Sequence, residues 1–168
     1  VNPVGYVGDT RLRYDWLQTL ESHLMLVHIG SSRLSAEVSS VLEKRTEANS
    51  KALCRMADIA REAALWLTNC GYLHGAEYLI GEALHESWQL KRQLASGITT
   101  PEIDSVYDKA RGAGAIGGKM LGAGGGGFMV LLVYREKREQ VTKAVWPHKT
   151  VDFQFRATEE DGGDNGFD

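Results

Sequence analysis

Nine of the chain's 19 glycines fall between Gly112 and Gly127, and two apolar runs, 115–121 and 128–134, bracket the densest part. Glycine loses more backbone freedom on ordering than any other residue, so this density in a folded region requires a structural or chemical reason. The pattern predicts two strands joined by the loop Gly122-Ala123-Gly124-Gly125-Gly126-Gly127. Glycines reach positive φ and have no side chain to block approach. A run of them can turn several backbone N–H groups toward one point, a nest for an anionic oxygen. The competing reading is a hairpin whose glycines let another backbone pack close. Six small residues in a row, with Lys119 beside them, favour the anion-facing loop.

Two familiar phosphate loops are excluded by context. A Walker loop needs Gly-x-x-x-x-Gly-Lys-Ser/Thr leading into a helix, and the chain contains no such string. Gly122, Gly124 and Gly127 satisfy Gly-x-Gly-x-x-Gly formally, but that motif must open a helix whose positive end meets a pyrophosphate. Here Phe-Met-Val-Leu-Leu-Val follows, which reads as a strand.

The surrounding chain supplies the rest of the plan. Residues 14–22 predict a short helix presenting Trp16, Leu17 and Leu20, and 23–29 a buried strand broken by Gly30-Ser31-Ser32-Arg33. Helices are expected over 35–45 and 46–69, the second lining one face with Leu53, Met56, Ala57, Ala60, Ala64 and Leu67. A further helix over 74–95 turns Leu79, Ile80, Ala83, Leu84 and Trp88 inward. Thr99-Thr100-Pro101-Glu102 starts another: threonine caps free amides, proline tolerates the first turn and the acid suits the positive helix end. Its buried face is Ile103, Val106, Tyr107 and Ala110. A helix over 136–145 and a closing strand with Val151, Phe153 and Phe155 on one face complete the order. The fold class expected is α+β: a ferredoxin-like split β-α-β antiparallel sheet, covered by helices on one side, with additional helices in the first crossover.

Composition narrows the class. With 43% hydrophobic and 24% charged residues the chain is an ordinary globular sequence, large enough at 168 residues for one core. No apolar run approaches the length of a membrane span. The last twelve residues hold five acids and no base, so 157–168 reads as a solvated, disordered acidic tail. Without those five acids the body carries 17 acids against 19 bases, too weak a field to argue for nucleic acid. An RNA-binding split β-α-β domain would also need exposed aromatics on its central strands, which the pattern does not offer. Cys54 and Cys70 lack metal-type spacing and read as reduced thiols of a cytoplasmic protein. The chain begins Val1-Asn2-Pro3-Val4, which reads as a piece of a longer protein.

The string Gly117-Gly118-Lys119-Met120-Leu121-Gly122-Ala123-Gly124-Gly125-Gly126-Gly127-Phe128 resembles the third motif of the GHMP kinases. Leu26-Val27-His28-Ile29-Gly30-Ser31-Ser32-Arg33-Leu34-Ser35 is similar to the strand and Thr-Gly-x-Ser-Arg-x-Ser turn of the heptose phosphate kinases in that superfamily. Leu84-His85-Glu86-Ser87-Trp88-Gln89-Leu90-Lys91 resembles their Leu-x-x-Ser-Trp-x-x-Lys helix, and Val151-Asp152-Phe153-Gln154-Phe155 their closing strand. The resemblance implies a C-terminal kinase domain over 1–156. It also implies phosphoryl transfer from ATP, with Mg²⁺, to a sugar or sugar phosphate, most like a heptose 7-phosphate. The loop that grips ATP, the Mg²⁺ ligands and any catalytic aspartate belong to an N-terminal half whose motifs this sequence lacks. That half is therefore the expected partner, and the chain alone is expected to be inactive. Other acceptors (galactose, fucose, mevalonate) and a non-catalytic domain that senses an anionic metabolite remain as alternatives.

Carried over residue by residue, Gly122, Ala123, Gly124, Gly125, Gly126 and Gly127 lie beside the nucleotide phosphates and the accepting hydroxyl, with Lys119 as a phosphate partner or a surface lysine. Ser31, Ser32 and Arg33 belong to the substrate site: the arginine as a fork on a sugar phosphate or a solvated side chain, the serines, with Ser35, on sugar hydroxyls or in turns and caps. His74 and His85 are eleven residues apart, too far along a helix for one metal, so no metal site is assigned. Trp88 is expected in the core. Asp104 and Asp152 have no partner acid at informative spacing, and no general base is assigned.

Overall fold

A computed structural model describes residues 14–30, 47–69 and 75–155. In order these form α1 (Tyr14–His23), β1 (Leu24–His28), α2 (Ser50–Asn69), α3 (Ala76–Leu94), α4 (Pro101–Gly112), β2 (Ala115–Met120) and β3 (Phe128–Val133). A 3₁₀ turn at Arg135–Lys137 leads into α5 (Arg138–Ala144), and β4 (Lys149–Val151) closes the order. The expected helix over 35–45, the serine-arginine turn at Ser31, Ser32 and Arg33, His74, Cys70 and the acidic tail lie outside the described residues. No helix among the described residues is long and apolar enough to cross a membrane.

The four strands form one antiparallel sheet in the order β2-β3-β1-β4, the split β-α-β arrangement the sequence predicts. β1 lies between β3 and β4, with Met25 opposite Leu131 and Val27 opposite both Met129 and Thr150. Strand residues alternate between faces, so Met25, Val27, Met129, Leu131 and Val133 share one side. There they build the main core with Trp88 of α3, with Ile103, Val106, Tyr107 and Ala110 of α4, and with Val141 of α5. All four predicted α4 positions are buried, and the Thr100 hydroxyl accepts the Ile103 amide at 3.2 Å, the cap the sequence announces.

Three expectations are corrected. Helices cover more than one side of the sheet: Leu132, of opposite parity, is fully buried in a second cluster with Leu20, Ala76, Ile80 and Ile116. On α2, Leu53, Met56 and Leu67 pack half-buried against the core as expected, but among the described side chains Ile59 is the one fully covered, and Ala57 and Ala60 are exposed. Among the described elements α2 packs mainly on α3, so a single helix contact decides which narrow stripe is covered. The closing strand ends at Val151, and Val151 and Phe155 remain 38% and 42% exposed. Pairing with β1 stops at Leu26 opposite Val151, although β1 itself runs on to Leu24; farther on, the Phe155 amide donates to Glu21 Oε2 at 2.8 Å instead.

Candidate functional site

The glycine string divides into two parts with different work. Gly117 and Gly118 are inside β2, not in the loop. A β-carbon on Gly117 would land on the Gly81 carbonyl oxygen of α3, and one on Gly81 would strike Ile116. These glycines let a helix and a strand approach backbone to backbone, which is the close-packing reading.

Residues 121–127 form the turn between β2 and β3. Gly122, Gly124, Gly125, Gly126 and Gly127 all have positive φ, a region costly for residues with a β-carbon. Two amides tie the loop to the body: Gly125 N–H donates to Ile98 O at 2.9 Å, and Gly127 N–H to Gly30 O at 2.6 Å. The Leu121 amide closes the hairpin on Phe128 O at 2.9 Å. The amides of Gly122, Ala123, Gly124 and Gly126 have no intrachain acceptor among the described residues. The run is thus anchored at two points and holds four N–H groups without an acceptor among the described residues, that of the buried Gly124 included.

A cleft of about 500 Å³ borders this loop, lined by Gly125, by Ile29 and Gly30 at the end of β1, and by Thr100 to Ile103 at the start of α4. The segment Ser31-Ser32-Arg33 leaves Gly30 directly, so in sequence it follows the cleft's edge. Glu102 stands on the same rim and faces His148 Nε2 at 3.7 Å.

Of the two lysines near the hairpin, Lys119 pairs with Val130 in the β2–β3 ladder and points toward α3, where its Nζ donates to Ser87 Oγ at 3.4 Å. It lines a smaller apolar groove of about 200 Å³ between α2 and α3, with Met56, Ile59, Ile80 and Leu84. Burial holds its ammonium below the ordinary lysine range. The cleft beside Gly125 does not include it.

Lys91 of α3 is the residue that sequence reasoning passed over. Only 8% exposed, it donates from Nζ to Met120 O at 3.3 Å and to Gly122 O. Burial, with the like charge of Lys119 adding to it, pushes its ammonium down to about 8. A signal existed: Lys91 falls on the inward stripe of α3 at i, i+4 and i+7 with Leu84 and Trp88, where an uncharged residue is the rule. Trp88 is in the core as expected, fully buried. His85 shares a 2.5 Å hydrogen bond with the Tyr107 hydroxyl and stacks on its ring, a packing role rather than a ligand's. Asp104 is explained by an ion pair with Arg92 at 2.7 Å.

Chemically, the donors around the loop are backbone amides with the Lys91 ammonium behind them, which suit phosphate or carboxylate oxygens, while Glu102 on the cleft's rim is an acceptor. The family described as GHMP kinases C terminal matches residues 72–149. The mevalonate kinase of Pyrococcus horikoshii is 30% identical over 147 residues, which is 82% of this chain and 42% of that protein. The D-glycero-alpha-D-manno-heptose 7-phosphate kinase of Campylobacter jejuni is 31% identical over 81 residues, 48% of this chain and 24% of that protein. Among solved structures, a D-glycero-D-manno-heptose 1-phosphate kinase from Bacteriodes thetaiotaomicron superposes with a TM-score of 0.56. It is 22% identical, covering 92% of this chain and 38% of that one, and it supports the fold. The chain spans less than half the length of the curated relatives it matches.

Proposed function

We propose that this chain, which carries the C-terminal domain of the GHMP kinases, is the part of an ATP-dependent kinase that supplies the glycine loop and one side of the acceptor site. The observation that carries the reading is the anchored hairpin with four amides lacking acceptors among the described residues, set beside an open cleft. ATP supplies the phosphoryl group. In such a transfer, charge spreads over the equatorial oxygens, and fixed donors aimed at them stabilise the transition state more than the ground state. The amides of Ala123, Gly124 and Gly126 are assigned that role here, and Ser31, Ser32 and Arg33 the sugar phosphate. Mg²⁺ is assigned to the N-terminal half, as the resemblance to the family implies. A cytoplasmic setting accords with the need for ATP.

For the acceptor we take a heptose 7-phosphate. Its support is local: the heptose kinase of Campylobacter jejuni is 31% identical over 81 residues, and the Ser87-Trp88-x-x-Lys91 helix resembles that branch. Mevalonate is the second reading, favoured by the 82% of the chain that aligns with the Pyrococcus horikoshii enzyme.

The test is reconstitution. The chain is purified alone and together with an N-terminal half bearing the ATP loop, and ADP release is followed with each acceptor. Turnover is expected only in the mixture and with heptose 7-phosphate preferred. Brisk turnover by the chain alone would falsify the division of labour, and preference for mevalonate would replace the acceptor.

A further inference from the structure

We propose that Lys91 is a positioning residue of the glycine loop: by holding the carbonyls of Met120 and Gly122 from inside the fold, it turns the Ala123 amide outward toward the anion. The inference rests on the phosphate reading of the loop and adds a residue to it.

The geometry begins with the peptide bond. A trans peptide unit is planar, with its C=O and N–H on opposite sides. Lys91 Nζ reaches the loop from α3 and draws the Gly122 carbonyl toward itself. The N–H of the same unit belongs to Ala123 and must point the other way, and it has no intrachain acceptor among the described residues. The neighbouring bond to Met120 O, at 3.3 Å, fixes the point where β2 ends and the turn begins. On the far side of the turn, Gly125 N–H is held by Ile98 O. Between these two clamps, residues with positive φ have little intrinsic preference for one conformation, so the clamps set the direction of the amides.

The choice of residue is informative. A carbonyl pair at this position needs only a neutral donor, yet the chain places an ammonium at a site 8% exposed. Among the described residues Lys91 has no carboxylate within ion-pair distance, and the nearby charge acting on it is that of Lys119, which repels. A buried cation without a counter-ion is costly in the empty protein and favourable once an anion arrives. Lys91 therefore contributes twice, by orienting an amide and by leaving positive charge behind the loop.

The experiment uses the full chain labelled with ¹⁵N, in wild-type form and as Lys91→Met and Lys91→Arg. Heteronuclear NOEs of Gly122 to Gly126 report how firmly the loop is held, and amides of Val27 and Met129 in the sheet report that the fold is intact. Sodium tripolyphosphate is titrated as the anion, with the Ala123 amide as reporter. In Lys91→Met the loop NOEs fall, the sheet signals stay, and the tripolyphosphate Kd rises about tenfold, the size of one charge-assisted hydrogen bond. Lys91→Arg restores part of the affinity. Unchanged loop NOEs in Lys91→Met overturn the inference whatever the titration shows. A wild-type loop that ignores tripolyphosphate, but loosens in Lys91→Met, upholds the positioning role and defeats the phosphate reading.

Discussion

At the scale of single residues, glycines of the same string are held for different reasons. Gly117 faces the Gly81 carbonyl with no room for a methyl group, whereas Gly122, at φ 71°, has nothing within 4 Å of where a β-carbon would stand. Gly117→Ala must part β2 from α3 and is expected to cost about 3 kcal/mol. Gly122→Ala meets only the left-handed backbone penalty, about 1 kcal/mol. Urea unfolding of the two variants separates these causes, and equal losses would contradict the assignment. Lys91 gives a pH prediction. Its value in the folded protein is about 8 against an ordinary 10.5. Between those values the unfolded chain binds the proton and the folded chain does not, so this group makes stability rise with pH across that window. The stability of wild type relative to Lys91→Met is thus expected to grow from pH 7.5 to 9.5. A constant difference would show that Lys91 is not desolvated. Lys119, lowered in the same direction by burial, is present in both proteins, so the difference reads Lys91 together with its repulsion of Lys119.

At the scale of elements, α4 is legible throughout and α2 only in part: its extent and Leu53, Met56 and Leu67 are, its alanines are not. The start of α4 is written in adjacent residues: the Thr100 hydroxyl accepts the Ile103 amide, Pro101 occupies the first turn, and the stripe Ile103, Val106, Tyr107, Ala110 faces the core. Thr100→Ala removes that acceptor and should lower stability by about 1 kcal/mol, seen as a drop in Tm of roughly 2–4 °C. A Tm within error of wild type would mean that Asp104, bonded to Arg92 and to the Thr99 hydroxyl, holds the helix start unaided. In α2, alanines sit on both sides of the stripe, and hydrophobic spacing alone does not say which the neighbouring helix covers. Packing on α3 selects Ile59. Arg55 reinforces that pairing, its Nε and Nη2 bonding both oxygens of Glu86 at 2.7 and 2.9 Å. The short β4 has a similar cause. The alternation of Val151, Phe153 and Phe155 is a strand pattern, but the ladder with β1 stops at Val151, and beyond it the Phe155 amide bonds to Glu21 instead.

At the scale of the whole molecule, the β2-β3-β1-β4 sheet brings the end of β1, the β2–β3 turn and the start of α4 to one edge, although 70 residues separate Gly30 from Thr100. The cleft is the product of that convergence. Sequence alone determined the order of the described elements, the hairpin with its glycine run and the α4 cap, because each is set by neighbours within a few positions. Only the tertiary structure decided that Gly117 serves packing, that Lys119 turns to Ser87, and that Lys91 reaches the loop. Those outcomes depend on the register of β2, with its irregularity between Ala115 and Gly117, and on how α3 lies against it. Contacts between elements some 30 residues apart leave no mark in the local pattern, since the same lysine at the same helical position faces carbonyls or solvent according to what packs beside it.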